Sequence, residues 1–317
     1  MGGEGTFDEV MAGPRRALLG AAIGGLSALV APPDFCARSL GLFAADGRVE
    51  GRPSDDWIWL GNRFLKAGLL SSSGGALGWL GPAASERNLI NHHDRGRLVQ
   101  QSWYGREDGS DWNGRPWRWN PVQGGDWKGQ SARILQRRVS EAHAFVRTQP
   151  VHWAAGNVVA DALMEQRMAL RGEMFEIRYR FEYSGREVHP PQHQELPAVF
   201  VTPELGTLVV AEGVKAREGM MWRRSRPGWP NEYLQLVEPW AAWVDDKDWG
   251  LGCCVPRASQ LTCYRFPGDA NGQGACSYFA PIDTLAVVPG FSFEWDVWLT
   301  IGTVEEIRER FRQRLTQ

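Results

Sequence analysis

The sequence has no surplus of either charge. Its 317 residues include 35 Lys and Arg and 37 Asp and Glu, which gives a formal net charge of −2. Domains that bind nucleic acid favour a basic patch clustered on one face, whereas the basic clusters here, at 137–138 and 223–226, are short. We interpret them as solvated strand ends or loops and predict no nucleic-acid partner.

The chain also lacks the short motifs of several enzyme classes. It contains no GxGxxG before a helix, no Walker loop, no GxSxG elbow and no CxxC pair. The acidic run at 245–248 lacks the spacing of a calcium loop. His92, His93 and Asp94 are adjacent, and adjacent residues of a strand point to opposite faces. We therefore predict no cofactor and no metal site.

Cysteine is scarce, since only Cys36, Cys253, Cys254, Cys263 and Cys276 occur. An odd number leaves at least one thiol free. If the protein is exported, disulfides are permitted. Cys253 or Cys254 could then bridge to Cys263 on a neighbouring strand, with Cys276 as another candidate partner.

The N-terminal region has the pattern of an export signal. Arg15 and Arg16 precede an apolar run at 17–31, which two prolines end. A positive region followed by a short apolar stretch is typical of a secretory leader, and twin arginines favour the twin-arginine route. The run is short for a membrane span. We predict a leader at 1–40, one domain at 41–317, no stable membrane span, and a periplasmic or extracellular mature protein.

The remaining chain has the pattern of strands. Apolar and charged residues alternate over 174–183, a period of two that predicts a half-buried strand. Residues 56–70 and 75–81 read as a first pair of strands. Short apolar runs recur at intervals of roughly eight to twelve residues, separated by Gly, Pro and Asp. The fold class predicted is therefore all-β, a large antiparallel β-sandwich.

One segment is predicted to be helical, at 303–315. Thr303 can cap its N-terminus, and Glu306 completes a capping box. Ile307 and Phe311 form a thin apolar stripe, so we expect this short C-terminal helix to pack against a sheet.

The chain is rich in tryptophan, with sixteen residues, and residues 88–130 are the most unusual segment. After Val99 this segment has Val122 as its only aliphatic residue, yet it holds Trp103, Trp112, Trp117, Trp119 and Trp127. Disordered segments are depleted in aromatic residues, and long irregular loops in compact domains are usually functional. We interpret the segment as an ordered, polar, Trp-lined surface.

A sugar requires this mixture, because aromatic faces contact its C–H groups and planar polar side chains bind its hydroxyls. The predicted substrate-binding residues are His92, His93, Arg97, Gln101, Tyr104, Trp119, Asn120, Gln123, Trp127 and Trp153.

Four carboxylates are candidates for catalysis. Glu165 lies within an otherwise apolar strand, where pairing with a neighbouring arginine is the structural alternative. Glu195 precedes an apolar strand and follows a loop rich in Pro and His. Asp94 and Asp126 are reserve candidates, and Asp126 follows two glycines that either admit a ligand or form a tight turn.

The order of these features resembles the galactose-mutarotase-like β-supersandwich group, which includes aldose epimerases and other sugar-processing enzymes. The resemblance covers roughly residues 55–300 and rests on four segments, at 72–81, 88–97, 120–127 and 194–199. It implies a supersandwich fold and a sugar ligand. Gln123 stands where the epimerases are expected to carry a histidine, so the resemblance supports the fold and the sugar ligand more than any particular reaction.

The function predicted is hydrolysis of glycosidic bonds in a poly- or oligosaccharide, with Glu165 and Glu195 as the carboxylate pair. A mutarotase or epimerase would use a His and a Glu across the ring oxygen. A polysaccharide lyase would use Tyr104 and His93, with Arg97 neutralising a uronate. A non-catalytic glycan-binding module is the alternative outside enzymes. The sequence does not predict the oligomeric state.

Overall fold

The computed structural model describes residues 56–212 and 221–317. The predicted leader and Cys36 lie outside the described residues. Within them the prediction of an all-β sandwich with a short C-terminal helix is confirmed.

The strands are, in chain order, β1 (Trp57–Gly61), β2 (Leu65–Leu70), β3 (Ala76–Pro82), β4 (Val99–Ser102), β5 (Glu107–Trp112), β6 (Arg115–Arg118), β7 (Pro121–Val122), β8 (Arg133–Val139), β9 (His143–Gln149), β10 (Val151–His152), β11 (Ala162–Arg171), β12 (Met174–Tyr183), β13 (His189–Val201), β14 (Thr207–Glu212), β15 (Met221–Ser225), β16 (Glu232–Gln235), β17 (Trp240–Val244), β18 (Trp249–Cys254), β19 (Gln260–Phe266), β20 (Cys276–Val287) and β21 (Ser292–Thr303). Helix α1 (Val304–Leu315) follows.

Two antiparallel sheets form the sandwich. The ten-stranded sheet has the order β1-β2-β3-β4-β13-β20-β19-β16, with β7 joining β4 and β10 beside it. The nine-stranded sheet has the order β15-β14-β17-β18-β21-β12-β11-β9-β8. Strands β5 and β6 form a separate hairpin. Each sheet therefore has an inner face in the core and an outer face, and the positions of side chains on these faces define the candidate site.

The predicted alternation in β12 is confirmed. Phe175, Ile177, Tyr179 and Phe181 are all buried between the sheets, because successive strand residues point to opposite faces.

The first predicted strand, 56–70, is instead a hairpin of β1 and β2. Asn62 makes the turn between them, since its Oδ1 accepts hydrogen bonds from the backbone N–H groups of Phe64 and Leu65, each at 2.8 Å.

The helix begins as predicted. The Thr303 side chain accepts from the backbone N–H of Glu306, and the Glu306 carboxylate accepts from the backbone N–H of Thr303. Ile307 and Phe311 pack on the outer face of the nine-stranded sheet. Gly252 of β18 makes room for them, because a Cβ there would lie 2.3 Å from Ile307 Cγ2.

The predicted disulfides do not form. Cys253, Cys254, Cys263 and Cys276 are all free and buried. The prediction that Cys253 or Cys254 bridges to Cys263 is wrong because β18 and β19 belong to different sheets. Their spacing in sequence suggested neighbouring strands, but the chain crosses from one sheet to the other between them.

The described ranges contain no helix that is long and apolar enough to cross a membrane.

Candidate functional site

A bulge in β13 turns Glu195 out of the sandwich. The register with β20 shifts between Glu195 and Val199, and the register with β4 shifts between Glu195 and Ala198. Leu196 and Val199 are both in the core although they are three residues apart. An extra residue between them allows this. Glu195 consequently projects from the outer face of the ten-stranded sheet, opposite Ser102 of β4.

Three hydroxyl groups surround the Glu195 carboxyl. Oε1 accepts a short hydrogen bond from the Tyr278 hydroxyl, and Tyr104 and Ser102 also hydrogen-bond the carboxyl. Burial raises the pKa of Glu195, and these three hydrogen bonds oppose the rise without cancelling it. A raised pKa makes the ionised carboxylate a stronger base than an exposed glutamate, and perturbed carboxyls of this kind are typical of functional sites.

Gln194 fixes the position of Tyr104. Its Oε1 accepts from the Tyr104 backbone N–H at 2.7 Å, and its Nε2 donates to the Tyr104 carbonyl at 2.9 Å. The Gln194 side chain is fully buried. One amide thus binds both backbone groups of Tyr104 and holds its phenol beside Glu195, where burial and the nearby carboxylate raise the pKa of Tyr104 well above its usual value.

Aromatic side chains cover the outer face next to Glu195. Tyr264 and Tyr278 stack with ring centroids 4.5 Å apart, and Phe200 lies 4.7 Å from Tyr278. Burial raises the pKa of both tyrosines well above the usual value. Their rings therefore stay neutral and give the carboxyl an apolar floor with hydroxyl donors at its edge.

Arg97 and His93 form one rim of this face. The Arg97 guanidinium pairs with Asp94 and donates to the Gly274 carbonyl at 2.8 Å. Gly274 has φ 71°, which favours glycine. A Cβ there would lie 3.1 Å from Arg97 Nη2 and 3.5 Å from the His93 ring, so the two side chains share this position.

Arg118 and Tyr233 lie on another part of the rim. Arg118 Nη1 donates to Gln192 Oε1 at 3.3 Å, and Gln192 belongs to the same strand as Glu195. Tyr233 is half exposed, and its ring is 5.5 Å from that of His193. Burial and the Glu195 charge raise the pKa of Tyr233, whereas Arg118 acts in the opposite direction.

Glu165 does not share this site. It lies on the outer face of the nine-stranded sheet, where its carboxylate pairs with Arg147 at 3.5 Å and Arg167 at 3.2 Å. Its neighbours Met164 and Gln166 point into the sandwich. Because packed sheets are about 10 Å apart, Glu165 and the Glu195 carboxyl cannot flank one glycosidic bond.

Gln101 and Gln123 point into the sandwich rather than toward solvent. Gln101 Nε2 donates to the Glu165 carbonyl at 3.0 Å, and Gln123 Nε2 donates to the Gly74 carbonyl at 3.3 Å. Both side chains are almost fully buried. Both amides bind backbone groups inside the sandwich, and the Gln101 amide joins β4 to β11 of the other sheet. Neither amide reaches the Glu195 face.

Two further candidates serve the local backbone. Asp126 accepts from the backbone N–H groups of Lys128 and Gln130, at 3.0 and 2.6 Å. Its carboxylate therefore stabilises a tight turn. Asn120 donates to the Trp103 carbonyl at 2.8 Å. Both are buried.

The tryptophan candidates are mostly covered. Trp119 is buried and stacks on His189, with centroids 4.1 Å apart. Trp127 and Trp153 are partly buried, and the backbone N–H of Trp127 donates to the Trp153 carbonyl at 3.3 Å. His92 is exposed and contacts the Trp57 ring at 5.7 Å. Of the five tryptophans in 88–130, Trp103, Trp117 and Trp119 are buried.

The structure thus brings together Glu195, Tyr104, Arg97, His93 and Asp94 from the sequence prediction. It adds residues that sequence reasoning missed, namely Ser102, Tyr264, Tyr278, Arg118, Gln192 and Tyr233. Only the pairing of strands distant in sequence places them beside Glu195. No cluster of three or more His, Cys, Asp or Glu within 56–212 and 221–317 could hold a metal ion.

Comparison with known proteins identifies the fold. No family model and no curated protein matches the sequence. A candidate aldose 1-epimerase from Escherichia coli K12 matches the structure with a TM-score of 0.52 and 12% identity, covering 77% of this chain and 98% of that one. A galactose mutarotase-like protein from Lactobacillus casei ATCC 334 matches with a TM-score of 0.52 and 10% identity, covering 77% and 99%. The chain has the galactose-mutarotase-like fold, as the sequence resemblance implied.

Proposed function

We propose that the protein is a carbohydrate-active enzyme that binds a sugar on the outer face of the ten-stranded sheet and transfers protons through Glu195. The observation that carries the proposal is the Glu195 carboxyl itself, which has a raised pKa and is held by Tyr278, Tyr104 and Ser102. Perturbed carboxyls in a polar and aromatic setting are typical of catalytic acids and bases. The aldose epimerase and mutarotase names of the two matching structures agree with a sugar ligand.

Reversible opening of a sugar ring is the reaction that this face supports best. Glu195 would take the proton of the anomeric hydroxyl as the bond between the anomeric carbon and the ring oxygen breaks. His93, on the rim beside Arg97, would give a proton to the ring oxygen. The open-chain aldehyde then closes by the reverse steps, so atoms and protons balance without a cofactor.

Hydrolysis of a glycosidic bond is the second candidate, with a different carboxylate pair from the one predicted. Asp94 lies on the Glu195 side of the molecule through its ion pair with Arg97. A hydrolase needs an acid and a second carboxylate on either side of the bond. Asp94 could fill the second role, whereas the carboxylate of Glu165 is on the opposite face.

The test is anomeric exchange of freshly dissolved aldoses, followed by NMR, with products of oligosaccharides followed by mass spectrometry. Glu195→Gln is expected to lower turnover by at least about a hundredfold, the scale of general acid–base catalysis, while sugar binding persists. Glu165→Gln makes the same chemical change on the opposite face and is expected to keep activity. Loss of activity in Glu165→Gln alone would overturn this site. Shortened products with added water would select hydrolysis.

Export is a separate proposal. We propose that residues 1–40 direct the protein out of the cytoplasm by the twin-arginine route, on the basis of Arg15, Arg16 and the apolar run at 17–31. A reporter fused to these residues is expected in the periplasm, and Arg15→Lys with Arg16→Lys is expected to retain it in the cytoplasm. A reporter that stays cytoplasmic with both arginines present would contradict the proposal.

A further inference from the structure

The guanidinium groups of Arg97 and Arg118 both lie near the tyrosines, but they differ in whether a carboxylate neutralises their charge. Arg97 is buried, pairs with Asp94 and donates to the Gly274 carbonyl. Arg118 is partly exposed and has the neutral Gln192 amide as its hydrogen-bond partner, with the Trp117 ring 5.8 Å away. Across the described parts of the chain, no carboxylate forms an ion pair with Arg118. Even Glu107, which lies opposite it in the β5–β6 register, does not.

The charge of Arg118 acts on the same face as Glu195. Two phenols, Tyr104 and Tyr233, lie within the electrostatic influence of both residues, and the two charges change their pKa values in opposite directions. Gln192, which Arg118 contacts, directly precedes His193 on β13, and the His193 ring is 5.5 Å from that of Tyr233. A sugar lying over these phenols would therefore have the carboxyl on one side and a guanidinium on the other.

We propose that Arg118 binds an anionic group of the sugar, and that the substrate is a uronic acid or a uronate-containing oligosaccharide. A guanidinium has planar, paired N–H donors that match the two oxygens of a carboxylate. A neutral sugar has no group that could form an ion pair with the Arg118 guanidinium. The inference rests on the proposed sugar-binding face but not on the reaction proposed there.

The experiment compares binding of methyl glucuronide, methyl galacturonide and methyl mannuronide with their neutral hexose counterparts, by calorimetry and saturation-transfer NMR. The wild type is expected to bind at least one uronide about tenfold more tightly than its neutral counterpart, the scale of one charge-assisted hydrogen-bonded pair. Because Arg118 is partly exposed, the preference should shrink as ionic strength rises.

Variants assign the preference to Arg118. Arg118→Gln is expected to bring uronide and neutral sugar within about twofold of each other, and Arg118→Lys to retain part of the difference. Arg138→Gln is the matched control. It removes the same charge from an exposed position on β8 of the other sheet and is expected to keep the preference. Thermal unfolding of Arg118→Gln checks that the fold is intact.

The outcomes separate this inference from the proposed reaction. Equal binding of uronides and neutral sugars by the wild type, or a preference that survives Arg118→Gln, would overturn the inference. Tighter binding of sulfated sugars than of uronides would also overturn it, since the anion would then be a sulfate ester. If uronides bind through Arg118 but Glu195→Gln changes no reaction, the proposed function fails and the inference stands.

Discussion

Glu195 shows how a single residue can oppose the stability of the fold around it. Burial disfavours its charged form, and hydrogen bonds from Tyr278, Tyr104 and Ser102 recover only part of that cost. A structural role would be served better by a neutral side chain of the same shape. Active sites retain such groups because the unfavourable environment shifts the pKa of the group toward the value that proton transfer requires.

Replacing this carboxyl should therefore stabilise the protein. The folded-state pKa of Glu195 is raised above the ordinary value of 4.5, so ionisation costs free energy of folding as the pH rises through and above that value. Glu195→Gln is expected to raise the unfolding free energy at pH 7 by on the order of 1 kcal/mol. The gain should vanish at about pH 4, below the unfolded pKa, as measured by denaturant unfolding. A gain that is equal at both pH values would contradict the proposed cause.

His189 is expected to make the protein sensitive to acid. Its ring is stacked on Trp119, its Nδ1 accepts from the Arg106 backbone N–H, and its Nε2 contacts the Tyr183 hydroxyl at 3.2 Å. Burial and then the Arg106 charge lower the pKa of His189 below 6.5. Its neutral form is the one that the fold accommodates. Its contribution to stability is complete above the unfolded pKa of about 6.5 and is lost as pH falls through the lower folded pKa.

The measurement is the melting temperature between about pH 7.5 and pH 5, a range that spans the ordinary pKa of histidine. The wild type should lose stability across this range, and His189→Gln should flatten the profile. His143→Gln, at a partly buried position on β9, serves as the control and should keep the wild-type slope. A profile unchanged by His189→Gln would refute the assignment.

At the scale of elements, sequence patterns correctly predicted the features that depend only on residues near in sequence. The alternation in β12 and the capping signal at Thr303 were both confirmed, because each depends on neighbours within a few residues. Strand β4 begins at Val99, since the preceding residue, Leu98, adopts a φ of 83°. A left-handed conformation at a leucine has no sequence signal, because the surrounding loop imposes it.

The same limit applied to the site. Glu195 stood out because it precedes an apolar strand, and Tyr104 because it lies in the polar, tryptophan-rich segment 88–130. Tyr264 and Tyr278 looked like ordinary strand aromatics. Gln101 resembled a sugar ligand, but its side chain faces the interior. Whether a residue faces the core or the outer face depends on the β13 bulge and on pairing between strands distant in sequence.

The capping box offers a direct test at this scale. Thr303→Ala removes the acceptor for the Glu306 backbone N–H, which is expected to lower the unfolding free energy by about 1 kcal/mol. Thr303→Ser keeps the hydroxyl and should stay close to wild type. Chemical denaturation of the three proteins measures this. An alanine variant as stable as the serine variant would show that the cap does not contribute.

At the scale of the whole molecule, packing replaces covalent links, since the four cysteines of the described ranges form no disulfide. The two inner faces supply a continuous apolar core, with Phe175, Phe181 and Phe279 fully buried. Since a chain of this size can bury most of its apolar surface, covalent links are not needed. The described cysteines serve as small apolar residues in the core, as buried free cysteines generally do.

This arrangement predicts a distinctive thiol behaviour. In a Cys36→Ser background, which leaves only the four described cysteines, the native protein should not react with Ellman's reagent. Burial shields the thiols and raises the pKa of Cys263 to about 12, so almost no thiolate is present. All four should react once guanidinium unfolds the chain, and reductant should not change the melting temperature. Fewer than four reactive thiols after unfolding, together with a melting temperature that reductant lowers, would reveal a disulfide and require a different pairing of the two sheets.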